Sequence, residues 1–360
     1  MRVLMIGPHL DYRGGIPSVE RTMLDHAPPE MELLHVGTVH EGPAARKAID
    51  FVFALAKGVP ILVRWRPDVA HIHFSKSGSA VRKSAFTTLC RVLKVPVVLH
   101  AHSGAFDQFW SRCPTTVRWL IARGFHQCAL LVVQSADMVP FYAKAFRLPE
   151  DSILTMGNPV DSIRVRTCED NLKGEVVRFV FLGRVCRAKG AFDLVQVVNS
   201  ASRQLRGKAS FVLAGDGETM SVRACVSNLG VSDLIDVKEW LTPTERDRIL
   251  EAGDVFVLPS YSEALPMALL EAMAAGLAPI VTPVGAIPSL VRDGVSGLVV
   301  NPGDVVGLEN AILRMVEDQV AREAIAQNAR LAVRPYEANA YMHALAGVYA
   351  SVTRVRQGTL

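Results

Sequence analysis

Ser260-Tyr-Ser-Glu-Ala-Leu-Pro-Met-Ala-Leu-Leu-Glu-Ala-Met-Ala-Ala-Gly276 is the stretch of sequence that decides the fold of this chain. An apolar run at 255–259 precedes it and predicts a buried strand, and residues 278–282 predict the next strand. Pro266 suits the first turn of the helix between them, and Gly276 suits its C-terminal end. The stretch therefore predicts a strand–loop–helix–strand unit of a parallel sheet, in which ligands bind at the carboxyl ends of the strands.

Two carboxylates make this unit a candidate binding site. Glu263 falls in the loop and Glu271 on the helix, with seven residues between them. Carboxylates can accept hydrogen bonds from ribose and hexose hydroxyls, while N–H groups at a helix N-terminus attract phosphate. A nucleotide sugar would suit this arrangement, and the backbone contacts to it would come from Ala264, Leu265, Pro266 and Met267. For an arbitrary pair of Glu at this spacing, the better interpretation is a solvated helix residue and a loop charge.

A second motif follows another predicted strand. Residues 176–182 predict the strand, and Gly183-Arg184-Val-Cys-Arg-Ala-Lys189-Gly190 comes directly after it. This places two cations in one loop at the carboxyl end of a strand, where a phosphate could bind. The alternative is a basic surface loop that caps the next helix. Gly215 opens a further turn, Gly215-Asp-Gly-Glu218, which either lines the same site or is a simple turn.

Paired glycines and histidines are the candidate features of the first half of the chain. Gly14-Gly15 follows the first predicted strand and can bring backbone close to a phosphate or a sugar, or form a simple turn. His71/His73 and His100/His102 alternate along two predicted strands, so we expect one member of each pair on a given face of the sheet. A single His on a strand is usually a core residue. His102 stands at the carboxyl end of its strand and is the better site candidate.

The pattern of alternating strands and helices occurs twice. It runs through the first part of the chain and restarts after a polar segment at 167–174, which predicts a linker. A repeated series of this kind predicts an α/β fold with two doubly wound, Rossmann-like lobes, each built on a parallel sheet. We place these lobes at 1–165 and 166–335, followed by a C-terminal segment at 336–360.

These motifs resemble those of glycosyltransferase family 4, which are retaining enzymes of the two-lobed GT-B fold. The resemblance covers nearly the whole chain and is strongest at 176–303. It includes the two Glu separated by seven residues and the tail Val284-Gly-Ala-Ile-Pro288. Two positions depart from the family pattern: Ala264 stands where the family usually has Gly, and Ser289 where it usually has Glu.

The resemblance implies roles for both lobes. The first lobe would bind the acceptor, the second would bind the nucleotide sugar, and a cleft would separate them. The C-terminal segment would be a helix that crosses back to the first lobe. The Gly14-Gly15 loop and His102 would face the donor from the first lobe, with His102 contacting the sugar.

The resemblance also implies how the second lobe would act. Arg184 and Lys189 would stabilise the leaving diphosphate, because fixed cations aimed at developing negative charge lower the barrier. Glu271 would bind the ribose and Glu263 the sugar, with Gly183 and Gly215 lining the donor site. The reaction would move a hexose from a UDP- or GDP-sugar to a hydroxyl of a glycan or lipid-linked acceptor in surface polysaccharide synthesis. The chain contains no Asp-x-Asp, so we expect no obligatory metal and no other cofactor.

Composition bounds the remaining possibilities. The six Cys are scattered without C-x-x-C spacing, which indicates reduced thiols of a cytoplasmic protein. The opening residues predict a strand and not a signal peptide, and no apolar run is long enough for a membrane span. No nucleic-acid partner is expected. Two rival functions remain: a nucleotide-sugar epimerase of the same fold, and a non-catalytic sugar-binding protein. A dinucleotide oxidoreductase is poorly supported, because no G-x-G-x-x-G follows the first strand of either lobe.

Charge is distributed unevenly between the two halves. Residues 1–170 carry 20 Lys+Arg and 15 Asp+Glu, a balance of +5; subtraction from the chain totals of 39 and 35 leaves 19 and 20 for the rest. Within this positively charged part, segment 44–66 combines several basic residues with the apolar side chains of Phe51, Phe53, Leu55 and Trp65. This mixture suits peripheral association with an anionic membrane at the inner face of the cytoplasmic membrane, or a core-packed helix with a solvated basic edge.

Overall fold

The computed structural model describes residues 1–161 and 176–357, with side chains up to Arg354. These residues form two compact units. The first contains Met1–Pro159 and the chain from Ala338 onward, and the second contains Val160–Glu337. The linker expected at 167–174 and the lobe boundary expected between 165 and 166 lie outside the described residues.

The first unit is built on a parallel sheet of six strands in the order β2-β1-β3-β4-β5-β6. The strands are β1 (Arg2–Gly7), β2 (Glu32–Gly37), β3 (Val69–Phe74), β4 (Val97–Ala101), β5 (Leu130–Val133) and β6 (Ile153–Thr155). The helices between them are α1 (Gly15–Asp25), α2 (Ala44–Pro60), α3 (Gly78–Val92), α4 (Phe106–Arg112), α5 (Thr115–Phe125) and α6 (Val139–Phe146). A π-helical turn at Ile61–Trp65 extends α2.

The second unit is also built on six parallel strands, in the order β12-β11-β10-β7-β8-β9. The strands are β7 (Val177–Leu182), β8 (Ala209–Ala214), β9 (Ile235–Lys238), β10 (Val255–Leu258), β11 (Ala278–Val281) and β12 (Leu298–Val299). The helices are α7 (Ala191–Ser200), α8 (Ser202–Leu205), α9 (Thr219–Asn228), α10 (Pro243–Ala252), α11 (Met267–Ala275), α12 (Ile287–Leu290), α13 (Val305–Glu317) and α14 (Gln319–Val333). The two doubly wound parallel sheets confirm the predicted fold class.

Both sheets owe their strands to near-continuous apolar runs. Val3–Ile6 of β1 and Val255–Val257 of β10 are fully buried, as expected for parallel strands covered on both faces. Each sheet also has a point where the strand order reverses, between β1 and β3 in the first unit and between β7 and β10 in the second. In open α/β sheets, ligands bind outside the carboxyl ends of the strands at such a reversal.

The C-terminal helix α15 (Ala338–Gln357) belongs to the first unit. It packs against β3 and α1, and Tyr341, Met342, Leu345 and Tyr349 are its buried side chains there. The helix therefore covers the face of the first sheet opposite the layer formed by α3 and α5.

Two further expectations from the sequence concern membrane-spanning helices and cysteine thiols. No helix in the described ranges has both the length and the apolar character needed to cross a bilayer. Of the six cysteines, Cys168 lies outside the described residues, and the other five are free thiols.

Candidate active site

Two loops meet at the reversal point of the second sheet. The Gly183–Gly190 loop follows β7, and the Ser260–Pro266 loop follows the neighbouring strand β10. The backbone N–H of Tyr261 donates to the carbonyl oxygen of Ala188 at 3.0 Å, which ties the loops together. The position fits the rule that ligands bind at such a reversal, so the predicted motifs lie where a ligand would be expected.

Glu263 is held by two direct partners, and a third residue fixes one of them. The residue is 9% exposed, and its Oε1 accepts a hydrogen bond from the Ser260 hydroxyl at 2.8 Å. Its Oε2 lies 2.5 Å from the Lys189 ammonium. The Thr282 hydroxyl in turn donates to the Ser260 carbonyl at 2.6 Å. The carboxylate is therefore buried, paired and fixed in orientation.

Ser260 and Thr282 did not emerge from the sequence as functional residues. Their signal is weak, because a Ser three residues before a Glu and a Thr at the end of a strand occur in many loops. The structure shows that Ser260 is fully buried and orients the carboxylate. Lys189 and Glu263 emerged separately as candidates, but their direct contact could not be predicted, because they belong to loops after different strands.

Gly190 explains how Lys189 reaches this carboxylate. A 3₁₀ turn, Arg187–Lys189, ends at Gly190, whose φ of 71° lies in the left-handed region. A Cβ at Gly190 would stand 2.2 Å from the carbonyl oxygen of Pro259. Only glycine allows this backbone conformation at this distance from β10. Arg187, two residues before Lys189, stacks on Phe192, with its guanidinium carbon 4.4 Å from the centre of that ring.

Arg184 is the cation of this loop that remains available. Its side chain is exposed, and no carboxylate among the described residues lies within ion-pair distance of it. Gly183 before it has a φ of 142°, with open space where a Cβ would stand. Gly215 has a φ of 153°, and a Cβ there would lie 1.8 Å from the carbonyl oxygen of Gly183. The loops after β7 and β8 thus touch through these glycines.

Glu271 is buried on α11 and paired with an arginine that the sequence analysis missed. Nη1 of Arg246, on α10, donates to Oε1 of Glu271 at 2.9 Å. Arg246 also donates to Asp247 through Nε and Nη2. Burial raises the pKa of Glu271, and the neighbouring guanidinium of Arg246 opposes that rise. A pattern of sequence spacing could not have found this pair, because it joins two separate helices.

The N-terminus of α11 differs in detail from the expectation. Pro266 is not in the first helical turn but is the N-cap residue, with φ −70° and ψ 125°, and Met267 is the first helical residue. The first N–H groups of a helix have no partner within the helix, and at this end no side chain caps them. Leu265 is buried and anchors the loop in the core, and Ala264 stands between it and Glu263. Gly276 ends the helix in the left-handed conformation, as predicted from the sequence.

The Val284–Pro288 tail supports this loop from behind. Gly285 has a φ of 58°, and a Cβ there would lie 2.4 Å from the Glu263 carbonyl oxygen. The N–H of Ala286 donates to the Ala264 carbonyl oxygen at 2.7 Å. The tail was quoted as a motif, but its contact with the loop that carries Glu263 is a finding of the structure.

In the first unit, the Gly14-Gly15 pair lies at the reversal point between β1 and β3. Gly14 precedes α1 with a φ of 152° and has open space where a Cβ would stand, and Gly15 is the first residue of the helix. Both glycines are exposed. Backbone is therefore accessible here, as the predicted contact with a phosphate or sugar would require.

The four histidines form one cluster, which corrects the expectation that each pair would be divided between the faces. Residues two apart on a strand share a face, and all four rings lie on the side of β3 and β4 that α15 covers. His71 Nε2 is 3.3 Å from His100 Nδ1, and His73 Nδ1 is 2.8 Å from His102 Nε2. The Tyr349 hydroxyl contacts His71 Nδ1 at 2.5 Å.

His102 is more enclosed than predicted. Besides its contact with His73, its Nδ1 lies 3.1 Å from the side-chain amide nitrogen of Gln134, which donates to it. Burial lowers the pKa of His102 to about 3, so the ring is neutral near pH 7. Both ring nitrogens are engaged inside the first unit, and a sugar contact through either nitrogen would require the ring to leave a partner.

The same cluster offers nitrogen ligands of the kind that bind metal ions. One ring nitrogen from each of His71, His73 and His100 lies within 4.8 Å of the others. These rings are fully buried, and no carboxylate of the described residues joins their group, so a divalent ion would add uncompensated charge to the core. We therefore interpret the cluster as a hydrogen-bonded part of the core.

Two family models match the chain. The model described as "Glycosyl transferases group 1" matches residues 169–332, and the model described as "Glycosyltransferase Family 4" matches residues 17–164. Together they account for nearly the whole length. The chain belongs to the family 4 glycosyltransferases.

Curated relatives of this family 4 glycosyltransferase are transferases of several sugars. An alpha-D-kanosaminyltransferase from Streptomyces kanamyceticus is 22% identical over 304 residues, which cover 79% of this chain and 78% of the relative. A UDP-Gal:alpha-D-GlcNAc-diphosphoundecaprenol alpha-1,3-galactosyltransferase from Escherichia coli is 26% identical over 274 residues, with coverages of 72% and 69%.

Solved structures share the fold of this family 4 glycosyltransferase at lower identity. The Anabaena protein HepE, in complex with UDP and glucose, superposes with a TM-score of 0.77 at 17% identity, covering 98% of this chain and 100% of that one. A sucrose-phosphate synthase from Thermosynechococcus elongatus gives a TM-score of 0.74 at 17% identity, with coverages of 98% and 99%. These matches confirm the GT-B fold.

Proposed function

We propose that this glycosyltransferase moves a hexose from a UDP- or GDP-sugar to a hydroxyl of a glycan or lipid-linked acceptor in surface polysaccharide synthesis, with retention of the anomeric configuration. The observation that carries the proposal is the Lys189–Glu263 pair beside the N-terminus of α11, at the reversal point of the second sheet. The printed names of the relatives support a nucleotide-sugar donor: one uses UDP-Gal, and another protein of this fold was solved with UDP and glucose.

The leaving diphosphate would be stabilised by Arg184, Lys189 and the N-terminus of α11. Arg184 is exposed and free of a carboxylate partner among the described residues, so it can bind phosphate without first breaking an ion pair. Lys189 already neutralises Glu263 and would add its charge to the phosphate from the same position. Preorganised positive charge of this kind acts on the negative charge that grows as the sugar–phosphate bond breaks.

Each buried carboxylate would bind one part of the donor. Ser260 and Lys189 fix Glu263, so its lone pairs are oriented to accept from a sugar hydroxyl. One oxygen of Glu271 accepts from Arg246, which leaves the other to accept from a ribose hydroxyl. The first unit would bind the acceptor, with Gly14-Gly15 and the His102 side chain as its proposed donor-facing groups. The His102 ring would leave His73 or Gln134 to contact the sugar.

We propose a front-face course in which the leaving phosphate oxygen takes the proton of the acceptor hydroxyl. Glu263 is paired with Lys189 and Glu271 with Arg246, so neither carboxylate is free to act as a covalent nucleophile. Arg184 and Lys189 would supply the positive charge that a metal provides in other transferases. We therefore propose that no obligatory metal takes part.

A donor panel with matched variants tests the proposal. The protein is incubated with UDP-, GDP-, ADP- and dTDP-sugars with and without EDTA, and turnover and product linkage are followed by NMR. We expect a UDP- or GDP-sugar to be used, EDTA to have no effect, and the anomeric configuration to be retained. Arg184→Ala and Lys189→Ala should each raise the activation free energy by about 3 kcal/mol, which lowers turnover roughly 100-fold.

Arg187→Ala is the matched control, because it removes the same charge from the same loop but stacks on Phe192 instead of facing the site. It should leave turnover within about threefold of the original. Equal losses in all three variants would show that loop charge alone matters and would contradict the assigned roles. An epimerised donor without transfer would favour the epimerase, an inverted linkage would contradict retention, and loss of activity in EDTA would contradict metal independence.

We also propose that the enzyme works at the inner face of the cytoplasmic membrane, docked through α2. Val52 and Phe53 are 64% and 70% exposed on this helix, and Ile49 beside them is also exposed. The relative from Escherichia coli acts on a diphosphoundecaprenol-linked sugar, which supports a lipid-linked acceptor. The sequence predicted four apolar side chains of this segment as candidates for membrane contact. The structure corrects this prediction for Phe51, Leu55 and Trp65, because these three pack against the core of the first unit.

The α2 proposal predicts salt-sensitive binding to anionic vesicles, because basic side chains near a charged surface are screened by salt. The basic residues involved are Lys47, Lys57, Arg64 and Arg66. Changing these four together to Ser should weaken vesicle binding. Unchanged binding by this variant would contradict a role for α2.

A further inference from the structure

A groove on the first unit, away from the sheet reversal point, is lined by an unusual set of side chains. It has a volume of about 830 Å³ and lies between α4, α5, α6 and the end of α3. Five Arg and Lys side chains line it, and Asp107 is the acidic residue among them; the five are Arg91, Arg118, Arg123, Lys144 and Arg147. Like charges gathered this closely repel one another, so an anionic ligand would stabilise the arrangement.

In the part of the first unit that the structure describes, these cations have no carboxylate partner within ion-pair distance. None of the five forms an ion pair with a carboxylate among the described residues. Arg118 donates to the Thr115 hydroxyl at 3.3 Å, and the Arg123 guanidinium carbon lies 5.5 Å from the centre of the Trp119 ring. The groove therefore keeps several charges available for an anion, and Arg favours phosphate in particular.

The rest of the lining is apolar and aromatic. Trp110, Trp119 and Phe141 face the same groove, and Trp119 is 60% exposed. Tryptophan favours the boundary between water and hydrocarbon, because its ring is apolar and its N–H is polar. Cations and aromatic rings that line one groove match a ligand that has a phosphate at one end and hydrocarbon at the other.

The groove belongs to the same layer of helices as α2. Phe51 of α2 contacts Phe86 of α3, with ring centres 6.0 Å apart. Gly124 of α5 packs so closely on α3 that a Cβ there would stand 2.5 Å from Cβ of Ser84. These helices form one layer, on the opposite side of the sheet from α15. Val92 at the end of α3 and Leu120 on α5 add exposed apolar side chains to that layer.

We propose that this groove binds the phosphate headgroup of an anionic phospholipid when the protein docks on a membrane. The inference rests on the docking proposed above and names a ligand for a second, separate part of the same helical layer. An acidic glycan would pair with the cations, but it would leave the exposed apolar residues of α2 and α3 in contact with water. A bilayer surface satisfies both at once.

The test measures binding of the full chain to phosphatidylglycerol/phosphatidylcholine vesicles and to pure phosphatidylcholine vesicles by co-sedimentation. Trp quenching by brominated lipids is followed in parallel. The groove variant is Arg118→Ser/Arg123→Ser/Lys144→Ser. The control variant, Arg203→Ser/Lys208→Ser/Arg330→Ser, removes the same charge from exposed sites on the second unit.

We expect binding to phosphatidylglycerol vesicles at low salt, with a loss on the order of 100-fold in the groove variant and less than about threefold in the control. Trp119→Ala should reduce the quenching and weaken binding, and because Trp119 is exposed the fold should persist. Soluble glycerophosphoglycerol should compete with vesicles for the original protein but not for the groove variant.

Several outcomes would overturn the inference. Equal losses in both triple variants would assign binding to net charge alone. If the groove variant binds vesicles fully, while the variant with Ser at the four basic positions of 47–66 does not, then α2 docks on the membrane and the groove takes no part. Binding of inorganic phosphate or of polygalacturonate oligomers, with no binding to vesicles, would assign the groove to a free anion or an acidic glycan. Transfer to a soluble acceptor is measured alongside, so that failure of the glycosyltransferase proposal is recorded separately.

Discussion

The histidine cluster of the first unit makes the stability of that unit depend on pH in a calculable way. Burial lowers the pKa of His71 and of His102 to about 3, from an ordinary value of 6.5. The pKa values of His73 and His100 lie well below 6.5 for the same reason. These rings take up protons in the unfolded chain at pH values where the folded chain excludes them. Their contribution is therefore complete above about pH 7.5 and is lost as pH falls through 6.5 toward 3.

The loss can be worked out for a moderate change of pH. Between pH 7.5 and pH 5, a histidine whose pKa shifts from 6.5 to about 3 on folding costs about 2 kcal/mol of unfolding free energy. His71 and His102 together give about 4 kcal/mol, which is a large part of the stability of a typical domain. The raised pKa values of Glu20 and Glu271 act in the opposite sense, because those folded carboxyls bind protons more readily than the unfolded ones.

A comparison between variants isolates the histidine contribution from these carboxyls. Urea denaturation is followed by tryptophan fluorescence at pH 7.5 and pH 5.0, and three of the four Trp lie in the first unit. His71→Gln and His102→Gln should each reduce the acid-induced loss by about 2 kcal/mol. His343→Gln, at an exposed position of α15, is the control. If both cluster variants lose as much stability on acidification as the original protein, the interpretation of a buried, neutral cluster is wrong.

Three further predictions concern the second unit. Arg246→Met should leave Glu271 buried without its cation, which should cost about 3–5 kcal/mol of unfolding free energy in urea. It should also weaken UDP binding measured by calorimetry, while Arg248→Met at an exposed site should have neither effect. Gly285→Ala should cost more stability and activity than Gly294→Ala. Both glycines have positive φ, but of the two only a Cβ at 285 would meet the loop that carries Glu263, so equal costs would mean that this contact is unimportant. Ser260→Ala should lower turnover with little change in UDP affinity, since the hydroxyl orients the loop carboxylate, and normal turnover would exclude that role.

The sequence predicted features that local signals specify. The strand, loop and helix around 255–281 follow from an apolar run, a proline, a run of good helix formers and a terminal glycine, and each signal acts within a few residues. The helix Pro243–Ala252 begins with a capping box between Thr242 and Glu245, which is equally local. The restart of the strand–helix series then predicted the two parallel sheets.

Contacts between distant segments were beyond the same reasoning. Arg246 meets Glu271 only because α10 and α11 pack side by side, and no spacing in the sequence encodes that approach. The histidine cluster depends on the pairing of β3 with β4, which aligns His73 with His100, and on α15, which brings Tyr349 from the end of the chain. The inward orientation of Phe51, Leu55 and Trp65 likewise depends on which face of α2 the sheet covers.

The charges of the proposed donor site explain why one of its cations has no carboxylate partner among the described residues. Each buried carboxylate is matched by a cation from another element, Glu263 by Lys189 and Glu271 by Arg246, so the pairs bring no net charge into the core. A diphosphate brings additional negative charge, for which Lys189 offers only a charge that it already shares with Glu263. Arg184 and the N-terminus of α11 are the positive groups that remain available at this edge of the sheet. A cation added by Ala264→Lys should therefore strengthen UDP binding, since it adds charge beside that helix end, and Ala264→Glu should weaken it; calorimetry showing no difference between the two would place the diphosphate elsewhere.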